Sequence, residues 1–354
     1  MSDGVRCMLM RGGTSKGAYF VREDLPSDRV ARDQLILRIV GSPDPRQIDG
    51  IGGAHPLTTK VAVVGAAGDG QADVTYLFLQ PSVDEAIVSD AQNCGNMLAG
   101  VGPFAVERGL FLVDGDRAVV RILMENTNSI AVASFGLVDG KPRYDGDLAV
   151  SGVPGTAAPI RLDFEGIAGS SCGALLPTGN VVDDVAGVPC TLIDNGMPVV
   201  VINAASLGID GGESPAELEA NAALRSTLEA IRLAAGPLMH LGDVAASTVP
   251  KLTLVSPPAD GGSLRTRTFI PHRCHDAIGV LGALTVAVAA KVPGTTAYPL
   301  VTARADDLIV LEHPTGMFET AVAVRTDGGL EVDRAGIVRT ARKLMDGVVF
   351  PREY

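Results

Sequence analysis

The sequence predicts an α+β protein of two similar domains, each a curved, largely antiparallel sheet or barrel around one central buried helix. Three observations carry this. Short β-rich runs are punctuated throughout by 42 glycines and 22 prolines, as strands joined by hairpins are. Two segments, Asn93–Arg108 and His275–Ala290, have helical length but no polar face, and a helix apolar all round is buried on every side. The two lie in opposite halves of the 354 residues, each amid short strands. Each is entered through a small polar turn, Gln92-Asn93-Cys94-Gly95-Asn96 and His275-Asp276-Ala277-Ile278-Gly279. A chain this long exceeds one compact core. The expected division is 1–185 and 186–354, with the last segment able to pack back on the first domain.

The strands are expected at Val61–Gly65, Val74–Leu79, Ala118–Met124, Ile130–Phe135, Thr191–Val201, Lys251–Val255, Leu308–Glu312 and Glu319–Arg325. Each ends at or near Gly, Pro, Asp or Asn, residues that suit turns. Besides the two buried helices, the pattern predicts helices over Asp28–Val40, over Pro215–Ala235 behind a Ser214 cap, and over Asp333–Asp346. The weak echo between the two helix openings suggests a duplication.

Composition narrows the function. The formal net charge is −12, no basic block occurs, and aromatic residues make up 4%. A phosphate backbone needs a basic stripe and single strands need stacking rings, so nucleic acid is not the expected partner. The longest apolar stretches, such as Gly279–Ala290, fall short of the roughly 18–20 residues of a membrane span, and no membrane association is expected. Five widely spaced cysteines without a CxxC read as reduced thiols of a cytoplasmic protein. A homodimer is the prior expectation for a soluble enzyme.

Four segments carry the candidate chemistry. Cys94, between Asn93 and Gly95-Asn96, stands at the start of the first buried helix, where the helix N-terminus lowers a thiol pKa; a buried structural cysteine is the alternative. Met10–Phe20 (MRGGTSKGAYF) combines close-approach glycines with donors from Arg11, Thr14, Ser15 and Lys16. It lacks the P-loop spacing, and a hairpin with solvated charges is its plain alternative. Asp49–Lys60 runs through Gly53 into a buried strand. Lysine is scarce, six of 29 basic residues, and desolvation of Lys60 would depress its pKa; a solvated strand-edge lysine is the alternative. Pro271–His275 holds two histidines and a cysteine but no second ligand cluster, so Arg273 at a helix entrance reads as a carboxylate contact, not part of a metal site. Ser171–Asn180 and Asp194–Pro198 read as linking turns or cleft walls. No dinucleotide fingerprint or GxSxG elbow occurs. Proton transfer by side chains, with no cofactor and no metal, is what remains.

These segments, with QNCGN at Gln92–Asn96, SCGALLPTGN at Ser171–Asn180, DNGMPV at Asp194–Val199 and FIPHRCH at Phe269–His275, resemble the 2-methylaconitate cis-trans isomerase family over nearly the whole chain. The resemblance implies the diaminopimelate-epimerase-like fold and a small polycarboxylate substrate. It implies keto–enol interconversion of 4-oxalomesaconate in gallate degradation, or an allylic shift on 2-methylaconitate or a methylitaconate-like acid. A noncatalytic role beside an iron–sulfur dehydratase is a further alternative. It also implies catalysis by Lys60 and Cys94, and substrate contacts from Thr14, Ser15, Lys16, Gly53, Asn93, Gly95, Asn96, Arg273, Ala277 and Gly279. Diaminopimelate epimerases place a cysteine at each buried helix. Here the second helix opens without one, Cys274 lying upstream, which argues against a two-thiol racemase.

Overall fold

The computed structural model describes residues 4–68, 70–91, 93–302 and 307–353; Gln92 of the first helix-entry motif lies outside them. The chain forms two compact units, Met1–Glu165 with Val338–Tyr354, and Gly166–Ile337. The first unit therefore ends before the expected boundary at 185. Asp183–Val185 pairs with Val188–Asp194 and so belongs with the second sheet.

In the first unit, β1 (Val5–Gly12), β2 (Ser15–Val21), β3 (Lys60–Ala66) and β4 (Val74–Pro81) form the middle of one sheet. Reading across it, the order is Ala341–Val349, β1, β2, β3, β4, Arg117–Met124, Ser129–Val138 and Ile160–Glu165. The successive pairings are antiparallel, antiparallel, parallel, antiparallel, parallel, antiparallel, antiparallel. In the second unit the order is Asp183–Val185, Val188–Asp194, Pro198–Asn203, Lys251–Ser256, Leu264–Ile270, Leu308–His313, Gly316–Arg325 and Glu331–Arg339. Its pairings follow the same succession. Two sheets that agree at all seven junctions are the structural form of a duplicated unit.

The helices occupy matching slots. Helix α1 (Arg29–Val40) joins β2 to β3; the Asp28 side chain accepts the Ala31 amide at 2.8 Å, and Gly41, at φ +84°, ends the helix. Helix α2 (Gly95–Glu107) follows β4, and every residue from Met97 to Ala105 is buried. Such a helix has no solvent face to satisfy. In the second unit the slot of α1 holds α3 (Pro215–Ala220) and α4 (Ala222–Leu238). These replace the single helix expected over Pro215–Ala235. Asn221 turns extended between them, and its side chain accepts the Leu224 amide at 3.0 Å, capping a new helix. Helix α5 (Val280–Lys291) holds the slot of α2, with Ala283–Ala290 buried.

Two further expectations are corrected. Asp333–Asp346 is not a helix; its residues lie in the strands Glu331–Arg339 and Ala341–Val349. Ala341–Val349 pairs with β1 from Gly12↔Ala341 to Val5↔Val349, and a ladder to a distant strand outweighs weak local helix propensity. Thr191–Val201 is a hairpin, not one strand, turning at Gly196 with φ +87°, a conformation glycine adopts without penalty. Among the described residues no helix is long and apolar enough to cross a membrane.

Candidate active site

The first unit gathers most of the candidate residues around the start of α2. The β1–β2 turn passes close over it: a Cβ at Gly12 would collide with the Asn96 carbonyl, and one at Gly13 with the Asn96 side chain. Gly13 sits at φ +51° and donates its amide to Thr340 O at 2.8 Å. The Arg11 guanidinium clasps this turn, donating to Gly13 O, Thr340 O and Thr340 Oγ1 at 3.0, 3.1 and 2.9 Å. Arg11 is thus committed to holding the loop's shape. Asn96 Nδ2 donates to Thr14 Oγ1 at 3.0 Å, and the Lys16 amide to Leu57 O at 2.9 Å. Ser15 is buried, yet its hydroxyl has no hydrogen-bond partner. An orphaned buried hydroxyl is costly, and one that takes up its partner with a ligand is a common reason for it.

Lys60 opens β3, opposite Gly17 of β2. It is 7% exposed, and its Nζ donates to Gln80 Oε1 at 2.6 Å while lying 5.1 Å from the centroid of the Phe78 ring. Burial lowers its pKa from the ordinary lysine value, and the charge of Cys94 works the other way. Among the described residues no carboxylate pairs with it. A lysine buried against a neutral acceptor, without a counter-ion, is one whose free-base form is accessible.

Cys94 is the N-cap of α2, with extended backbone and no side-chain cap bond. Cys7, Cys172 and Cys190 are buried, and burial pushes their thiols up to about 12; burial pushes Cys274 up to about 11. Cys94 alone is partly exposed. Tyr76 donates to Cys94 O at 3.3 Å and Tyr19 to Met97 O at 2.6 Å. Burial first, then the charge of Cys94, holds both phenols well above the usual tyrosine pKa, so both stay neutral donors. Asn93 Nδ2 reaches Thr127 Oγ1 at 2.6 Å, leaving its buried Oδ1 without a partner. The amides of Gly95, Asn96 and Met97 belong to the first turn, which has no intrahelical acceptors. Gly53 takes part differently: its amide donates to Thr59 Oγ1 at 3.1 Å, and its oxygen accepts Thr58 Oγ1 at 2.9 Å. It shapes the loop into β3. A cavity of about 500 Å³ opens beside Gln80, with Ala54, Pro56 and Ser82 in its wall.

The remaining candidates lie in the second unit. Arg273 is 84% exposed in its side chain and pairs with Glu219 at 3.2 Å. The Ala277 amide donates to His275 Nδ1 at 2.7 Å. Gly279 caps α5 without a side-chain bond. The two histidines of Pro271–His275 part company, His272 lying 3.6 Å from Glu229. Among the described residues no group of three His, Cys, Asp or Glu could hold a metal ion. The Ser171–Asn180 loop is bound inward, since Asp194 Oδ2 accepts the Ser171 and Cys172 amides at 2.7 and 2.9 Å. Sequence reasoning missed Gln80, Tyr19 and Tyr76. Each looks like an ordinary strand residue, and only the parallel β2–β3 and antiparallel β3–β4 registers bring them to Lys60 and α2.

The structure is similar to the crystal structure of methylitaconate-delta-isomerase, with a TM-score of 0.89 and 34% identity over 98% of this chain and 95% of that one. A hydroxyproline epimerase from Agrobacterium vitis shares the fold at a TM-score of 0.51 and 14% identity, covering 99% and 94%. Fold and site together define an α+β isomerase with a buried lysine beside a helix-capping cysteine. In sequence, the chain is 58% identical to the (4E)-oxalomesaconate Delta-isomerase of Novosphingobium sp. (98% of each chain) and 54% identical to the 4-oxalomesaconate tautomerase of Pseudomonas putida (98% and 95%). The PrpF protein family model matches residues 3–352, and the chain belongs to that family.

Proposed function

We propose that this protein is a cofactor-independent tautomerase that interconverts the keto and enol forms of 4-oxalomesaconate in cytoplasmic gallate degradation. The observation that carries the chemistry is Lys60, buried and bonded to a neutral amide next to Cys94. The relative named for 4-oxalomesaconate tautomerisation, aligned over nearly the whole chain, supports the substrate.

The substrate's methylene lies between a ketone and an alkene, so its C–H bond is acidic enough for an amine base. The neutral Lys60 amine takes that proton, and the C–H electron pair moves into the carbonyl to give a dienolate. A proton delivered to oxygen then yields the enol. The Ser15 hydroxyl and the open amides at the start of α2 are the donors for a carboxylate and the developing oxyanion.

A second reading has its own support in the 58% identical relative, which is named for moving a double bond. The same dienolate, protonated on its far carbon instead of on oxygen, gives the shifted alkene. That outcome needs an acid at the second carbon, a role assigned in this reading to Cys94. Purified protein mixed with 4-oxalomesaconate in deuterated buffer and followed by ultraviolet absorbance and proton NMR decides between them. Growth of the conjugated enol supports tautomerisation, and deuterium on the distal carbon supports the allylic shift. No change in either spectrum, with 2-methylaconitate also inert, sinks both.

A further inference from the structure

We propose that Gln80 is the positioning residue for Lys60: it takes one amine hydrogen and so aims the lone pair of the free base away from β4, toward the carbon acid. This rests on the reading of Lys60 as the base. The orientation of the Gln80 amide is fixed by its surroundings. Nε2 donates to Thr59 O at 2.8 Å, with Pro81 O and Pro56 O at 3.2 and 3.3 Å. Flipping the amide would set its oxygen against three carbonyls and its NH2 against the Lys60 ammonium, so Oε1 is the atom that faces Nζ. A carbonyl oxygen accepts and cannot donate. It holds one N–H of Lys60 in either protonation state and never occupies the lone pair that must receive the proton.

The duplication supplies an internal comparison. Lys251 opens the strand that matches β3, as Lys60 opens β3 itself. Val61 pairs with Leu79 and Leu252 with Phe269, so the position matching Gln80 is Ile270. Lacking that acceptor, Lys251 turns to a neighbouring carbonyl, Thr248 O, at 2.7 Å. The lysine occurs in both units, but the amide that aims it occurs in one.

Gln80 is also neutral where a glutamate would be nearly isosteric. Among the described residues, the groups facing Lys60 are the Phe78 ring and Gln80, both on β4 and uncharged, and Cys94 at the start of α2. A carboxylate at position 80 would stabilise the ammonium and remove the base at neutral pH. An apolar side chain there would withdraw a hydrogen bond that favours the charged form.

The test is the pH dependence of kcat/KM for wild type, Gln80→Glu, Gln80→Met and Lys60→Met. The acidic limb is expected to move up by about one pH unit or more in Gln80→Glu, as a neighbouring opposite charge dictates. It is expected to move down in Gln80→Met, with kcat about tenfold lower from lost aim and KM little changed. Opposite shifts are something a merely structural glutamine would not produce. Limbs that coincide, or that move the same way, overturn the proposal. If Gln80→Glu fails to fold, NMR titration of labelled Lys60 in Gln80→Met decides the matter: a lower Lys60 pKa than in wild type supports it, and an equal or higher one overturns it. If Lys60→Met keeps the wild-type limb, the reading of Lys60 as base fails and takes this proposal with it. Loss of the limb in Lys60→Met together with an unmoved limb in the Gln80 variants isolates the failure to Gln80.

Discussion

The two units are built on one strand succession, yet they differ at the two places where the proposed chemistry is concentrated. In the first, the lysine opening β3 meets Gln80, and α2 is capped by Cys94. In the second, the matching lysine meets no side-chain amide, and α5 is capped by Gly279. The cysteine just before that helix, Cys274, is buried, and burial pushes its thiol up to about 11, which disfavours the thiolate near neutrality. What the units share is the apolar helix with open amides at its start, a device for anions. What separates them is the proposed acid–base pair. On the proposed mechanism, a duplicated fold keeps an anion-binding device in both copies while confining its proton chemistry to one.

The largest expected effect tests that asymmetry directly. Lys60→Met should lower kcat/KM for enolisation by about 10²–10⁴, the range for a general base, while Lys251→Met should leave it within about twofold. In wild type, activity should rise with pH as Lys60 loses its proton. That rise should come below the ordinary lysine range, because burial lowers the Lys60 pKa. Comparable losses in both lysine variants would break the comparison.

Next in size is Cys94→Ala. Carbon-to-carbon proton return should fall by about 10², whereas enol formation, whose oxygen exchanges with solvent, should fall far less. Deuterium incorporation measured by NMR separates the two rates. Cys274→Ala should change neither, and a loss there would place a second thiol in the reaction.

The smallest effect is one of shape. Gly13→Ala demands positive φ and drives a Cβ into Asn96. It should cost about 1–3 kcal/mol of stability, read from denaturant unfolding, and should raise KM through the displaced Ser15. Unchanged stability and KM would mean that the turn over α2 is looser than its contacts indicate.

The fold was legible where the chain writes it locally. Two helices without polar faces announced two buried centres, and Gly-rich turns marked most strands. It was illegible where partners are distant. Asp333–Asp346 reads as helix because nothing nearby reveals that β1, more than three hundred residues away, is its neighbour. Asn221 was hidden inside an amphipathic run because a polar residue there looks like part of the wet face. Within the site, Lys60 was visible through the scarcity of lysine and Cys94 through its flanking Asn and Gly. Gln80 left no trace, since a glutamine near the end of a strand is unremarkable until the register sets it against a buried amine. Arg11 was misleading in the opposite sense. It looked like a ligand donor, and it braces the loop from Thr340.

That brace has a consequence for biosynthesis. Thr340 and the strand Ala341–Val349 complete the first unit, although the whole second unit is translated before them. Gly166–Ile337 is continuous and can fold as it leaves the ribosome, but the loop bearing Ser15 lacks its hydrogen bonds to Thr340 until that residue emerges. A nascent chain can therefore carry both Lys60 and Cys94 before the loop over α2 is braced, so that the proposed site is completed only once the strand Ala341–Val349 has been made.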